Sequence, residues 1–482
     1  FLEEAIGEFS RELGVDLSRI SFRDFIKITM KGKRPFASFY TPMMNIQTHS
    51  PRHLNLTPPC TYACPSGIPT PVFLNLIRDG KLREAQLLMD EFSPFRLSVC
   101  GTVCPAPCMQ ACSRNLLDGP LDIPTIAREY YPEFMPEKPR EKREELVSVI
   151  GAGPGGLSAA WQLARRGYKV EVYDSADDLG GKLRRAIPRE RLSDETLERD
   201  LERIRSLPIQ FKMKTAVDAG LFKKIAGKSS AVLIATGAYR GRRIEFPGSE
   251  AVRSGLEFLV NINEGRPENL KGKRVLVIGA GNAGMDVACE SWRMGASKVT
   301  AIDVQKPLAF GKELAMAQKL GTEIFWPRVI ERIDGEKAVC ADGSLLEADV
   351  VFFSIGEAPD TSFLPESVLR DERGYVTTGE KSFKTSDPKI FASGDIVKPG
   401  LVTDAIGMGR LAAMEMHAMI TGKPFIYPGS HPVSKRRMNV QYFGGEAREI
   451  DRCMSCGTCV FCDRCIEACP QHVIALNMDV IT

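Results

Sequence analysis

Apolar and polar positions fall into three regimes along the chain. From Pro58 to Cys112 apolar residues recur at helical spacing, as in PVFLNLIRDGKLREAQLLMDEF, which predicts a helical region. A charged hinge, MPEKPREKREE at 135–145, closes it. From there to about residue 420 short apolar runs alternate with helical stretches, the pattern of an α/β body with doubly wound parallel sheets. A Pro- and Gly-bearing stretch, GKPFIYPGSHPVSKRRMNVQYFGG, separates this body from a cysteine-dense end. Residues 1 to about 50 read as two short helical segments and an arm.

Two segments of the body have the same order of elements. In VSVIGAGPGGLSAAWQLARRGYKVEVYD (147–174) an apolar strand runs into a glycine turn, a helix and a second strand ending in an acid. Gly151 permits the tight turn, Gly153 lets the backbone approach a pyrophosphate, and Gly156 lets helix pack on strand, with Pro154 and Gly155 between them. The free N–H groups and dipole at the helix start favour an anion there. Asp174, eighteen residues after Gly156, is placed to accept from ribose hydroxyls. The pattern recurs in RVLVIGAGNAGMDVACESWRMGASKVTAID (274–303), with Gly279, Gly281, Asn282, Ala283 and Gly284, and with Asp303 nineteen residues beyond Gly284. Two such folds predict two nucleotides, a flavin and a nicotinamide. A carboxylate at Asp303 accepts from a 2′-hydroxyl and repels a 2′-phosphate. The VQKP that follows offers only Lys306 as a cation, so NADH is expected over NADPH.

Charge adds exclusions. Lys and Arg number 64 against 61 Asp and Glu, a net +3, which argues against a dedicated nucleic-acid binder; SKRR at 434–437 reads as a solvated linker. No window approaches the roughly 18 apolar residues of a membrane span. FLEEAIGEFSRELG lacks the basic start and apolar core of a secretory signal. The chain begins at Phe1 without a Met, so further residues are expected upstream. No Ser/His/Asp or paired-carboxylate constellation is visible, the five histidines are scattered, and Cys289 and Cys340 stand alone. A dithiol mechanism is therefore disfavoured, and no catalytic side chain is expected beyond the cofactors.

The other twelve of the fourteen cysteines lie in two tight groups. In RCMSCGTCVFCDRCIEACP (452–470), Cys459, Cys462, Cys465 and Cys469-Pro470 follow the C-x2-C-x2-C-x3-C-P run of bacterial ferredoxins. Zinc knuckles need a longer gap, and disulfides between such near neighbours would be strained and unexpected in a reducing compartment. Iron–sulfur ligation and a cytoplasmic location are expected. Cys453 and Cys456 contribute to this module, or a second run lies beyond Thr482. The N-terminal group, CTYAC and CGTVCPAPCMQAC, contains Cys60, Cys64, Cys100, Cys104, Cys108 and Cys112 at C-x3-C spacing. Residues four apart share a helix face, and zinc held by four of these six is an open alternative.

IFASGDIVKPGLVTDAIGMGRLAAMEM (390–416) resembles the closing segment of flavoproteins with two dinucleotide domains. The resemblance implies that Asp395, after Gly394, takes the ribityl chain or phosphate of FAD, and that the helix starting near Ala405 and Ile406 faces the isoalloxazine. FAD then belongs to 147–174 and the nicotinamide to 274–303. LIATG and FFSIG match the crossover strands. As a set, PPCTYACP, CGTVCPAPC, GAGPGG, GAGNAG and ASGD resemble the small subunit of glutamate synthase and the matching region of dihydropyrimidine dehydrogenase, over roughly residues 55–425.

That family implies nested Rossmann-type FAD and NAD domains, an N-terminal helical iron–sulfur domain and, here, a C-terminal ferredoxin-like module. The expected boundaries are an arm at 1–52, the helical iron–sulfur domain at 53–143, the FAD domain at 144–270 and 373–425, the NAD(H) domain at 271–372, a linker at 426–452 and the ferredoxin-like module at 453–482. The implied flavin side also includes Gly180, Gly181, Lys182, Leu183, Ala235, Thr236, Gly237, Thr403, Asp404 and Ala405, and the nicotinamide side Gly356. The family holds two 4Fe-4S clusters in its N-terminal domain. By position, Cys64, Cys104 and Cys108 fall on one and Cys60 and Cys112 on the other. Arg52 and Asn55 stand near where two more cysteines belong, leaving His53 or Cys100 as substitutes; a non-cysteine ligand falls near Ala127 and Glu129. Val304 and Gln305 replace the family's NADPH-binding arginines, again implying NADH.

The implied activity passes electrons between NADH, FAD, 4Fe-4S clusters and a redox partner protein. Members with an added ferredoxin module imply a partner in dissimilatory sulfite reductase, or alternatively a 2-oxoacid oxidoreductase or a ferredoxin. A glutamate synthase small-subunit-like role is the other alternative, and a homodimer is compatible with all of these.

Overall fold

Helices α1 (Pro59–Ala63), α2 (Thr70–Arg78) and α3 (Leu82–Asp90) appear where helical spacing predicts them. Phe73, Leu74, Ile77, Ala85 and Met89 turn their apolar faces into one core. A π-helix follows over Arg96–Val103, then α4 (Pro107–Ala111) and α5 (Ile123–Glu129). Asp122 caps α5 by accepting from Thr125 N at 3.2 Å. The computed structural model describes residues 56–131, 134–139, 141–428, 431–432, 449–454 and 456. Those from Pro58 onward belong to one compact unit, Pro58–Cys456. The expected arm over 1–52 and the Cys459, Cys462, Cys465 and Cys469 run lie outside the described residues.

The first dinucleotide fold is built from β1 (Leu146–Ile150), α6 (Pro154–Arg165), β2 (Lys169–Tyr173), α7 (Lys182–Arg185), α8 (Asp194–Arg205), β3 (Ile209–Lys212), α9 (Ala219–Lys228) and β4 (Ala231–Ile234). Ser193 and Asp218 cap α8 and α9 by accepting from Thr196 N and Leu221 N. The second comprises β5 (Arg253–Ser254), α10 (Gly255–Asn263), β6 (Arg274–Ile278), α11 (Asn282–Arg293), β7 (Lys298–Ile302), α12 (Gly311–Lys319) and β8 (Glu323–Phe325). An antiparallel leaf, β9 (Ile330–Asp334), β10 (Lys337–Cys340) and β11 (Leu345–Glu347), precedes its last strand, β12 (Val350–Phe353). The chain then returns to the first sheet through β13 (Ile390–Ala392) and ends the body with α13 (Val402–Ile420).

Both sheets are parallel and wound alike. Their orders are β13-β4-β1-β2-β3 and β8-β7-β6-β12-β5. In each, the strand entering the glycine turn is central and the order reverses beside it, which opens a crevice at the carboxyl ends of the strands. The second sheet also takes Arg253–Ser254 as an edge, ahead of residue 271, where sequence puts the boundary. Two residues beside Phe352 and Phe353 are too short a strand for any periodicity to mark.

Helix α13 joins the parts. A Cβ on Gly409 would stand 2.0 Å from Gly155 O of α6, and one on Gly407 would stand 2.2 Å from Pro65 O, beside Cys64. Only glycine admits both backbones. Ser158 Oγ donates to Ile406 O at 2.8 Å and fixes the same crossing. Among the described residues no helix is long and apolar enough to cross a membrane.

The helical region is anchored to the first fold by buried charge. Asp90 pairs with Arg203 of α8 at 2.7 Å and with Arg96 at 3.6 Å. Asp200, fully buried, accepts from Leu97 N (3.1 Å), Ser98 N (2.8 Å), Ser98 Oγ (2.6 Å) and Tyr131 OH (3.1 Å).

Candidate functional site

The glycine turn of the first fold opens on a cavity of about 570 Å³. Gly151, at φ +112°, is in a conformation that favours glycine, and a Cβ there would stand 2.2 Å from Ala235 O. Gly153 is different: its Cβ would meet nothing nearer than Gly181 Cα at 4.0 Å, so its backbone lies open to the cavity that it lines. Asp174 Oδ2 accepts from Ala152 N at 2.6 Å and Oδ1 from Ala176 N at 2.8 Å, which sets the acid at the turn.

Of the residues expected here, Gly151, Gly153, Pro154, Gly155 and Asp174 line the cavity together with Gly181 and Lys182. Ala235, Thr236, Gly237, Gly394, Asp395 and Ala405 line it from β4, β13 and α13. Gly156 and Leu183 are packed behind it, and Gly180 N closes a bond to Ala152 O at 2.9 Å. Asp404 is occupied otherwise, accepting from Leu401 N at 2.7 Å to start α13. Thr403 faces two other cavities, described below.

Two features of this cavity fit a polar cofactor. Thr236 Oγ1 and Ser393 Oγ are buried and have no hydrogen-bond partner within the described protein, although buried hydroxyls are ordinarily satisfied. Lys182 Nζ pairs with Asp395 at 2.9 Å and Glu357 at 3.4 Å. Burial alone would lower this ammonium; Asp395 and Glu357 more than offset that and hold it above its ordinary value. Tyr239, whose ring lies 5.7 Å from Lys182 Nζ, is pushed up to about 12 by burial. Glu357 and Tyr239 escape sequence reading because Lys182, the partner of both, lies 175 and 57 residues away from them in the chain.

The second fold repeats the turn. Gly279, at φ +111°, would place a Cβ 2.2 Å from Ser354 O. Asp303 Oδ2 accepts from Ala280 N at 2.9 Å and Oδ1 from Gln305 N at 3.2 Å, the counterpart of Asp174. A cavity of about 170 Å³ begins at Asn282 and Ala283 and reaches Lys182, Val402 and Thr403. Arg191 spans this cavity, bonding Asp286 (2.5 Å) and Glu313. Burial pushes the Asp286 carboxyl up to about 6 against the pull of Arg191. Gly281 and Gly284 complete the turn, Gly281 with open space where a Cβ would be. Gly356, at φ +94°, lies off both cavities and accepts from Arg242 N at 2.9 Å.

Four thiols, Cys64, Cys100, Cys104 and Cys108, line a third, small apolar cavity of about 30 Å³. The π-helix presents Cys100 and leads into Cys104, its i→i+5 bonds running from Cys100 N to Phe95 O and from Cys104 N to Val99 O. Burial pushes all four thiols up, Cys104 to about 11. For Cys100 and Cys108 neighbouring thiols add to that. Buried thiols so placed ionise only against compensating positive charge, which a metal centre supplies. Ile123 and Pro124 of α5 reach the cavity, whereas Ala127, where the resemblance puts a fourth ligand, is buried in the adjoining core and does not. Cys100 is the fourth thiol on the cavity wall.

All three cavities meet at the start of α13. Leu401, Val402 and Ala405 wall the largest; Leu401, Val402 and Thr403 wall the second; Thr403 and Ile406 wall the thiol-lined one.

A family model described as pyridine nucleotide-disulphide oxidoreductase matches residues 146–409, and the chain belongs to that family. A model described as dihydropyrimidine dehydrogenase domain II, 4Fe-4S cluster, matches residues 36–138. A glutamate synthase (NADPH) small chain of Mycobacterium tuberculosis is 30% identical over 424 residues, covering 76% of this chain and 86% of its own length. The NAD-dependent dihydropyrimidine dehydrogenase subunit PreT of Escherichia coli O157:H7 is 28% identical, covering 80% and 96%. An NADP(+)-dependent formate dehydrogenase subunit beta of Moorella thermoacetica is 29% identical over 75% of this chain, which spans 60% of that relative's length. The chain is thus an FAD-dependent iron–sulfur oxidoreductase using NAD(P)H, of the glutamate synthase small-subunit and PreT-like type. The relatives' names divide between NAD and NADP, so relatedness does not choose the coenzyme.

Proposed function

We propose that the chain passes electrons between NADH and a partner redox protein, with FAD on the fold at 147–174, NADH on the fold at 274–303 and a 4Fe-4S cluster on Cys64, Cys100, Cys104 and Cys108. The convergence of three cavities on the first turn of α13 carries this reading. When bound, FAD supplies the conversion of a hydride's electron pair into single electrons. The chain's own part is to orient. Gly153 exposes backbone, Asp174 and Asp303 brace the two turns, and Lys182 is held between Asp395 and Glu357 where two of the cavities meet. Anaerobic purification with flavin, iron and sulfide analysis, followed by NADH titration, tests it. Flavin bleaching and iron are expected; zinc, or colourless protein, would overturn the proposal.

Two substitutions separate the nucleotides. Gly153→Ala is expected to leave the fold intact, since its Cβ meets open space, and to weaken flavin retention by narrowing the cavity. Flavin content after gel filtration measures that. Asp303→Ala removes the charged acceptor, and a hydrogen bond to a charged group is worth about 1.5–3 kcal/mol. The NADH/NADPH ratio of kcat/KM is expected to fall about tenfold or more; an unchanged ratio refutes the NADH assignment. Val304 and Gln305, neither of them cationic, favour the same coenzyme.

For the partner we favour dissimilatory sulfite reductase, a role like that of the iron–sulfur flavoprotein DsrL in sulfur oxidation. The N-terminal arm, the C-x3-C spacing, Asp303 and the ferredoxin-type run at 459–469 support this reading. The same run suits an NAD(P)-linked subunit of a 2-oxoacid oxidoreductase, which co-purification with a thiamine enzyme would reveal. A glutamate synthase small subunit has no need of that run.

A further inference from the structure

Sequence spacing groups Cys453 and Cys456 with the ferredoxin-type run that follows them. Their surroundings do not. The turn Glu449–Arg452 lies against the N-terminal helical region and is tied to it at several places. Arg452 pairs with Asp118 at 3.1 Å and donates to Gly119 O at 2.9 Å. Arg114, almost wholly buried, pairs with Asp118 at 2.5 Å and donates to Arg452 O at 2.9 Å. Glu449 accepts from Asp122 N at 2.8 Å, and Arg78 of α2 pairs with Asp451 at 3.6 Å. Ile450, 3% exposed, enters the core formed by α2, α3 and α5.

That docking sets Cys453, itself buried, in the core that holds Cys60 and Cys112, and Cys64, Cys100 and Cys108 border it too. Cys453, Cys112 and Cys456 all lie near enough to Cys60 for their charges to act on it. Which thiols line the small cavity divides these eight into two fours. One lines the cavity beside α13, and the other gathers about Cys60, with Cys108 close enough to Cys60 to feel its charge. Among the described residues no three His, Cys, Asp or Glu side chains close on a single ion. A four-iron cube takes one thiolate at each of four corners and needs no such convergence.

We infer that Cys60, Cys112, Cys453 and Cys456 together hold a second 4Fe-4S cluster, so that Cys459, Cys462, Cys465 and Cys469 form a set of their own. This rests on the reading that the thiol sets bind iron and sulfide. Residues 341 to 396 positions apart then complete one centre, and the turn at 449–452 with its two following cysteines is part of the N-terminal iron–sulfur region.

The test uses the full chain, purified without oxygen. Cys60→Ala and Cys456→Ala are each expected to lower iron and acid-labile sulfide by about four per chain, and the double variant by the same about four, with flavin retained. The low-temperature EPR signal lost should be the same in both single variants and should survive in Cys459→Ala. Additive losses of about eight, or a signal shared by Cys456→Ala and Cys459→Ala but not Cys60→Ala, overturn the assignment. Zinc recovered in place of this iron overturns it too. Where an alanine variant loses its flavin, Cys60→Asp and Cys456→Asp keep an anionic ligand. One and the same signal should shift in both, and shifts in two different signals sink the idea. A wild-type chain without flavin or iron would instead refute the electron-transfer proposal itself.

Discussion

Cys104→Ala is expected to leave flavin bleaching by NADH at the wild-type rate while electron delivery to a one-electron acceptor falls to background. The geometry separates these two steps. Cys104 belongs to the four thiols around the small apolar cavity, and it also borders the cavity running from Asn282 to Val402. Among the described residues it is the one cysteine touching both. The nucleotide turns at Gly151 and Gly279 are made by β1, β4, β6 and β12 and owe nothing to it. Removing an outer-shell partner of a metal ligand costs about 10–100-fold, so removing a ligand should cost more. The expected variant is yellow, short of about four irons, and bleached by NADH without passing the electrons on. Slow flavin reduction with full iron content would show that the route from nicotinamide to thiols is wrong.

Asp200→Ala is expected to destabilise the chain by about 3–5 kcal/mol, read as a lower denaturant midpoint followed by flavin fluorescence. Asp200 is fully buried and accepts four hydrogen bonds, three of them from the first turn of the π-helix that presents Cys100. Burial pushes its carboxyl up, opposed by Ser98 and by Arg203 and Arg96. Alanine would leave the Leu97 and Ser98 donors without an acceptor and Asp90 alone facing two buried guanidiniums. Unpaired buried charge is far more costly than a lost surface pair. Iron content should fall together with the midpoint, because the same turn sets Cys100. A midpoint within experimental error of wild type would mean the joint between helical region and first fold is held by other contacts.

Much of this architecture is written in short-range pattern. The strand–glycine–helix–strand–acid order at 147–174 and 274–303 states its own geometry, because the turn, the helix start and the acid lie within one βαβ unit. Gly151 and Gly279 take φ of +112° and +111°, and the crossover strands that a side chain there would strike, at Ala235 and Ser354, lie 84 and 75 residues further on. The edge strand Arg253–Ser254, the salt-bridged Lys182 and the fourth thiol at Cys100 lack such a signature. Each is defined by a partner far off in sequence, at Phe352 and Phe353, at Glu357 and Asp395, and at Cys64.

The sequence alone determined that the chain contains two dinucleotide folds and thiols in metal-ligating groups, since periodicity, glycine turns and cysteine spacing are properties of neighbouring residues. Tertiary structure decided which thiols line one cavity and that the first turn of α13 borders all three cavities. Those are distances between segments hundreds of residues apart, set by buried ion pairs and by backbones meeting at Gly407 and Gly409, and no local pattern encodes them.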